Sequence, residues 1–506
     1  MSLIAKQSIY NFITISIAFV IGAINTLFLY PSYPGKEFQG LVVALLATSN
    51  LLQPFISFGC QHALIKFYSS YSSKEDRDSL LWFSIYFPII IILALIPAVV
   101  FLKPQIISFL TNVNLEIEKY LKMIFYIAIL TAYFEIFFSW LRIQLKTVFG
   151  NFLKEFYPRL LIFSLLTFYI IGLINLDQFI DFLLIGYFIR LLIVIVYSFY
   201  IYTPSFKIKL PKNLSSILKY NILIFLSGAA ASIILDIDKS MIYSILKVEN
   251  VAFYVVALFI ATVIEAPGRG LFQISSPLVA SAINNNDIKR LEVLLKKTSI
   301  NLIIVCGFVF IVINSNLIEL YQVINQEGYS NALSVIWIVS IGKLFSMSMG
   351  CINNIISNSK YYPYIFWFSL ISGFSAIILN LLLIEKFGIV GAAYATLAVI
   401  VFINICKLIL ILVKFKIHPY SYKTIYALLL IIIIFYIINQ VSFELNPLLL
   451  ILIKGIISFI VFSFFIIKLK LSENLNQIYN NGLRGSIKLL YKVFSGKWVF
   501  IFNNFI

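Results

Sequence analysis

Apolar stretches long enough to cross a bilayer follow one another along nearly the whole chain. They lie near residues 8 to 30, 39 to 63, 80 to 102, 120 to 141, 151 to 173, 180 to 202, 218 to 241, 251 to 272, 298 to 318, 332 to 355, 362 to 384, 390 to 413, 423 to 440 and 446 to 468. A hydrocarbon layer about 30 Å thick is crossed by roughly 20 helical residues. Backbone inside it must satisfy its own hydrogen bonds, which only helices and closed barrels do. Barrel strands would alternate polar and apolar residues in pieces of about ten, and no such alternation occurs here. The expectation is an all-α membrane protein of about fourteen transmembrane helices. Composition agrees: 61% of residues are hydrophobic and 12% charged, against about 45–50% apolar and about 25% charged in soluble domains. Little chain is left over for a soluble domain.

The formal charge of +17 is spread through short loops rather than gathered on one basic face, which argues against nucleic acid as a partner. The spread alternates. One set of loops holds Lys66, Lys74 and Arg77; Lys146, Lys154 and Arg159; Lys207, Lys209 and Lys212; Lys289, Arg290, Lys296 and Lys297; Lys360; then Lys414, Lys416 and Lys423. The intervening loops hold only Lys36, Lys103 and Lys119, Lys247 and Lys386. Cytoplasmic loops carry such an excess, so Lys6 and the tail with Lys470, Arg484, Lys488, Lys492 and Lys497 are expected in the cytoplasm. The first stretch is longer than a signal-peptide core and has no small-residue cleavage site, so it reads as a retained helix. Cys60, Cys306, Cys351 and Cys406 all fall in apolar segments without metal-ligand spacing, which predicts neither a disulfide nor a metal site.

The chain also reads as duplicated. Tyr10-Asn11 opens the first stretch, Val42-Val43-Ala44-Leu45 lies in the second, and Pro54 follows twelve residues after Val42. Tyr220-Asn221 opens the seventh, Val255-Val256-Ala257-Leu258 lies in the eighth, and Pro267 follows Val255 at the same offset. The organisation expected from this is a first lobe of six helices over 1–205, a second over 206–415, two further helices over 416–470, and a cytoplasmic tail over 471–506. Parallel repeats around a central pathway are a common transporter plan. The tail mixes Arg484, Lys488, Lys492 and Lys497 with Tyr479, Tyr491, Phe494, Trp498 and Phe502, a pattern suited to a helix lying on an anionic leaflet.

Two segments carry a family resemblance. Leu379-Asn380-Leu381-Leu382-Leu383-Ile384 followed by Phe387-Gly388-Ile389-Val390-Gly391-Ala392-Ala393-Tyr394-Ala395-Thr396 resembles the eleventh and twelfth helices of polysaccharide flippases of the Wzx type. Asp238 with Tyr254 and Pro267 is similar to the opening of the second half in the same proteins, which belong to the multidrug/oligosaccharidyl-lipid/polysaccharide exporter (MOP) superfamily. The resemblance implies a MATE-like pair of six-helix lobes in a V, a central cavity lined mainly by helices one, two, seven and eight, and two extra helices. The implied cargo is an undecaprenyl-pyrophosphate-linked oligosaccharide, moved across the bacterial inner membrane for O-antigen or capsule synthesis. Implied partners are membrane lipids and the polymerase and glycosyltransferases of the same pathway. A cation-coupled multidrug exporter and a lipid II flippase are alternatives within the same fold. The glycines and alanines of the second segment serve close helix packing.

A pyrophosphate and its sugars need cations and hydrogen-bonding groups where an unpaired charge costs several kcal/mol. Charges within the apolar stretches are therefore the candidate cavity residues. Glu265 and Arg269 stand four residues apart around Pro267, where a structural ion pair and a substrate-facing pair both fit. Lys343 and Arg190 lie near the middle of their stretches, too deep to reach either surface easily, and serve either cargo or an internal acid such as Glu135. Asn50 and Gln53 near Pro54, with Gln61 and His62 beyond, are candidates for sugar contacts or for interhelical bonds. Asp236 and Asp238 beside Lys239 are candidates for gating or for coupling to H⁺ or Na⁺, with structural pairing the alternative. Drug exporters of the superfamily often place an acid in the first helix, which here holds only Asn11 and Asn25. There is no P-loop, dinucleotide fingerprint or nucleophile elbow, so neither an enzyme nor a cofactor is expected.

Overall fold

The computed structural model describes residues 14–111, 119–144, 146–206, 209–441 and 443–472, and all regular structure among them is helical. In chain order the first half comprises α1 (Thr14–Ser32), α2 (Lys36–Ser57), α3 (Cys60–Phe67), α4 (Lys74–Thr111), α5 (Leu121–Ile143), α6 (Thr147–Asn151), α7 (Tyr157–Ile170) and α8 (Leu176–Ile201). The second half follows with α9 (Leu214–Ile245), α10 (Glu249–Thr262), α11 (Ala266–Asn284), α12 (Ile288–Asn314), α13 (Leu317–Ile324), α14 (Leu333–Ser348), α15 (Ile352–Asn358), α16 (Pro363–Phe387), α17 (Ile389–Phe415), α18 (Tyr422–Asn439) and α19 (Pro447–Lys468).

Twelve helices are long and apolar enough to cross a membrane, and α9, bent by 43° between Ala230 and Ser232, makes a thirteenth. The remaining predicted stretch, 151–173, is helical as well, but a π turn at Phe152–Phe156 precedes α7 and leaves that helix only 14 residues. Residues 473–506, and with them most of the expected amphipathic tail, lie outside the described residues.

The helices form two compact units, each with its own interior. The first comprises Met1–Val263, Tyr321–Gly342 and Lys360–Ile405, and the second Ile264–Leu320, Lys343–Ser359 and Cys406–Ile506.

In the first unit α2 runs through the centre. A Cβ on Gly40 would lie 2.1 Å from the Val248 carbonyl oxygen, so glycine alone lets α2 reach the turn between α9 and α10. Farther along, Thr48 Oγ1 meets Ser240 Oγ at 3.0 Å. The Tyr329 hydroxyl donates to Gln39 Oε1 at 2.6 Å, joining residues nearly three hundred positions apart. Val42, Ala44 and Leu45 are buried here, and so are Val256 and Ala257, so both copies of the repeated tetrapeptide sit in the same core. Past Pro54, α2 stops where Phe58 (φ 42°) and Gly59 (φ 75°) both turn left-handed. A Cβ on Gly59 would fall 2.8 Å from the Asn221 carbonyl oxygen, which fixes how closely α9 approaches. Asp78 ties the start of α4 to the segment after α8, accepting from the Tyr202 hydroxyl at 2.6 Å and from the Ser205 amide at 2.9 Å.

In the second unit α12 is the axis. The Cβ that Gly307 lacks would meet Ile431 Cδ1 at 2.2 Å, so α18 lies directly against it. Phe308 packs its ring against Phe459 and Phe462 of α19. Gly350, left-handed at φ 60°, lets the chain after α14 press on α12, where Ser299 Oγ donates to the Ser348 carbonyl at 2.6 Å and Thr298 Oγ1 accepts from the Cys351 amide.

Candidate functional site

The site grows from a break at a proline. Pro267, in the first turn of α11, has no N–H and fixes its own φ, and the residues before it tighten into a 3₁₀ turn, Val263–Glu265. Glu265 thereby becomes the N-cap residue of α11, where a carboxylate is favoured by the helix dipole. Three residues on, Gly268 is buried against α14, and a Cβ there would lie 2.5 Å from Met347 Sδ. This close approach brings Lys343, one turn earlier on α14, to Glu265: Nζ and Oε2 are 3.0 Å apart. The two side chains are 18% and 23% exposed, so the pair is shielded without being sealed. Asn354 then pins α15 to the next turn of α11, its amide donating to the Phe272 carbonyl at 2.9 Å and to Ser275 Oγ at 3.0 Å.

Arg269 stands one turn beyond Glu265, is exposed, and forms no ion pair among the described residues. Of the two readings of Glu265 and Arg269, the structural ion pair between them is not formed; Glu265 pairs with Lys343, because the turn at Pro267 and the contact at Gly268 give the carboxylate a nearer cation. An ion pair beside an uncompensated guanidinium leaves one net positive charge, a local field suited to a phosphate.

Arg190 is enclosed instead. It is 5% exposed, its guanidinium lies 3.8 Å from the centroid of the Phe134 ring, and Tyr187 covers it at 5.0 Å. Its Nε has no hydrogen-bond partner among the described residues. Glu135, named as a candidate internal partner for Arg190 or Lys343, binds Lys154 at 2.8 Å. Arg190 is therefore held by aromatic faces rather than by a carboxylate.

Asp236 and Asp238 gather around one cation. Lys239 Nζ is 3.0 Å from Asp236 Oδ1 and 3.5 Å from Asp238 Oδ1, and it also donates to the Leu235 carbonyl. The other oxygen of Asp238 accepts from the Tyr254 hydroxyl at 2.7 Å. Two carboxylates against one ammonium leave one net negative charge. Of the proposed sugar-contact residues, Asn50 is exposed, while Gln53 is half-buried and donates to Ser57 Oγ at 3.1 Å. His62 is exposed, and no cluster of three or more metal-ligating side chains occurs among the described residues.

One buried pair was missed in the sequence. Lys454 of α19 lies 2.5 Å from Glu319 of α13 and also donates to the Ser315 carbonyl at 3.2 Å. A solitary lysine inside the apolar run 447–467 was the signal for it.

Comparisons with known proteins give a family and a fold. A family model described as polysaccharide biosynthesis protein matches residues 4–266. Among solved structures, the chain is similar to one described as lipid II flippase MurJ in an inward closed conformation, with a TM-score of 0.71 and 20% identity over 91% of this chain and 99% of that one. It is also similar to an inward-facing multidrug resistance MATE family transporter of the MOP superfamily, with a TM-score of 0.59 and 14% identity over 82% and 95% of the two chains. At these identities the likeness is one of fold. No curated protein sequence matches the chain.

Proposed function

Because this chain belongs to the polysaccharide biosynthesis protein family, we propose that it is a flippase. Its cargo is an undecaprenyl-pyrophosphate-linked oligosaccharide, carried by alternating access from the cytoplasmic to the outer leaflet of a bacterial inner membrane for O-antigen or capsule synthesis. The observation that carries this reading is the Lys343–Glu265 pair with Arg269 beside it. At rest Glu265 neutralises Lys343, so the empty site has little unpaired charge to desolvate. An incoming pyrophosphate offers more negative charge than one carboxylate and meets Arg269 first. Lys343 then exchanges Glu265 for a phosphate oxygen, and Glu265 takes it back when the cargo leaves. The exchange makes binding strong enough to load and reversible enough to release.

The Asp236–Lys239–Asp238 group, with its net negative charge, is where H⁺ or Na⁺ coupling would act in this reading. Glycosyltransferases and a polymerase of the same pathway supply and consume the cargo. A lipid II flippase is the second reading, favoured by the coverage of the MurJ fold; its cargo shares the pyrophosphate and differs in the sugars.

The test is deletion of the gene followed by labelling of lipid-linked intermediates on each leaflet. Accumulation of the oligosaccharide intermediate on the cytoplasmic side, reversed by the intact gene, is expected. Unchanged surface polymer with raised sensitivity to cationic dyes would overturn it in favour of a drug exporter, and accumulation of peptidoglycan precursor would move the cargo to lipid II.

A further inference from the structure

Arg190 belongs to the first unit and stands near the middle of the span Leu176–Ile201, too deep to reach either surface easily. It is 5% exposed, it enters no ion pair or hydrogen bond among the described residues, and its Nε is wholly buried. The Phe134 ring, 3.8 Å away, and the Tyr187 ring, 5.0 Å away, offset part of its charge. A ring face does not satisfy the five N–H donors that fan out in the guanidinium plane. A buried cation whose donors lack acceptors is costly, so the position calls for an anion.

Neighbouring carboxylates do not supply it. The titratable groups that act on Arg190 through space are Tyr187, Glu135, Tyr157 and Glu155. Lys154 holds both oxygens of Glu135, at 2.8 and 3.0 Å, and Arg159 holds Glu155 at 3.2 Å. The Tyr157 hydroxyl donates to the Gly186 carbonyl at 3.0 Å. Three cations against two carboxylates leave one positive charge, and Arg190 is the cation without a partner. A second unused donor is close by: the Tyr30 hydroxyl, within electrostatic reach of Tyr187, is buried and has no hydrogen-bond partner among the described residues. The backbone is irregular at the same place. Tyr30 directly follows the π turn Ile24–Leu29, Lys154 and Glu155 lie in the π turn Phe152–Phe156, and Asn25 joins the two segments by donating to the Arg159 carbonyl at 2.8 Å. Such π turns within helices gather at functional sites.

We propose that Arg190 binds a small monovalent anion, chloride in the cell, among α1, α5 and α8, with the Tyr30 hydroxyl as a second donor. The enclosure of Arg190 excludes a lipid-linked sugar as its ligand. One excess positive charge balances one monovalent anion, whereas a divalent phosphate or sulfate would carry a second charge into the interior uncompensated. The bound anion neutralises the interior of the first unit and ties these three helices to one another. The assignment is independent of the cargo.

The experiment uses the full chain in detergent, purified in sodium gluconate, and measures binding of radiolabelled chloride by scintillation proximity. Wild type is expected to bind chloride saturably, with bromide competing and sulfate not. Arg190→Gln should weaken binding at least about tenfold, as loss of a charged donor does, and Arg190→Lys should keep it saturable. Tyr30→Phe should weaken it about fivefold, the effect of one hydrogen bond. That variant keeps the ring and its packing on Phe179, so it decides the matter if Arg190→Gln does not fold. No saturable chloride binding by wild type would overturn the proposal, and so would undiminished binding by Arg190→Gln or, where that variant does not fold, by Tyr30→Phe. Competition by sulfate as strong as that by bromide would overturn the monovalent assignment.

Discussion

Lys343 Nζ and Glu265 Oε2 are 3.0 Å apart, although their residues are separated by three helices and a long turn in the chain. Both are partly exposed, so the pair is a poor stability device: removing two charges from water offsets most of their attraction. In the proposed exchange, its value would be to keep a cation within the spans compensated until a better anion arrives.

Lys343→Ala and Arg269→Ala should each slow transport of the lipid-linked unit at least tenfold in proteoliposomes while leaving membrane insertion intact. Tenfold corresponds to about 1.4 kcal/mol, within the range of one charge-assisted phosphate contact. The swapped pair Lys343→Glu/Glu265→Lys restores the attraction without restoring the order of charges. It should therefore recover thermal stability lost in Lys343→Ala but not transport, and full transport by the swapped protein would contradict the exchange mechanism.

Tyr254→Phe removes the hydroxyl that donates to Asp238 at 2.7 Å. Asp238 is buried, and its remaining partner Lys239 is shared with Asp236. A hydrogen bond to a charged group contributes about 1.5–3 kcal/mol. The variant should unfold at lower temperature than wild type in a thermal melt, and Tyr254→Phe/Asp238→Asn should regain part of the loss because the stranded charge is gone.

Gly40→Ala tests the closest approach in the first unit. The new Cβ would lie 2.1 Å from a backbone oxygen, Val248 O, which no side-chain rotation relieves. Overpacking of this kind costs about 1–3 kcal/mol. Displacing α2 from the α9–α10 turn should also loosen the Tyr329–Gln39 hydrogen bond nearby. Faster hydrogen exchange over residues 36–45 and 325–332 is expected, and unchanged exchange would show that the backbone absorbs the methyl elsewhere.

Much of this was legible in the sequence, and the reason is solvent. Lipid forces each span to be apolar and helical, so hydropathy located the long spanning helices with no knowledge of contacts, whereas short helices such as α6 (Thr147–Asn151) and α13 (Leu317–Ile324) were not separately visible. Asp236, Asp238 and Lys239 could be grouped because they are neighbours on one helix. The partner of Glu265 could not be read, since it depends on Gly268 admitting Met347 and hence on how α14 packs against α11. An internal acid such as Glu135 was one of two readings for Arg190, the other being cargo, but Lys154 already holds Glu135 and aromatic rings pack against Arg190. Pattern along a chain does not record such competition between partners.

Lys454 and Glu319 give the sharpest energetic prediction. Their side chains are 5% and 10% exposed, so each charge depends on the other. Lys454→Met alone strands the Glu319 carboxylate, and breaking a buried pair this way costs about 3–5 kcal/mol. Replacing both members by apolar residues of similar volume is often neutral, so Lys454→Met/Glu319→Leu should recover most of the loss. Recovery should stop short of complete, because the Ser315 carbonyl loses the donor that Lys454 gives it at 3.2 Å. The Phe308 contacts with Phe459 and Phe462 remain in both variants and keep α19 on α12. Thermal melts of the single and double variants, with transport measured beside them, check this: activity should follow stability. A double variant that is stable but inactive would instead place this pair in the transport cycle.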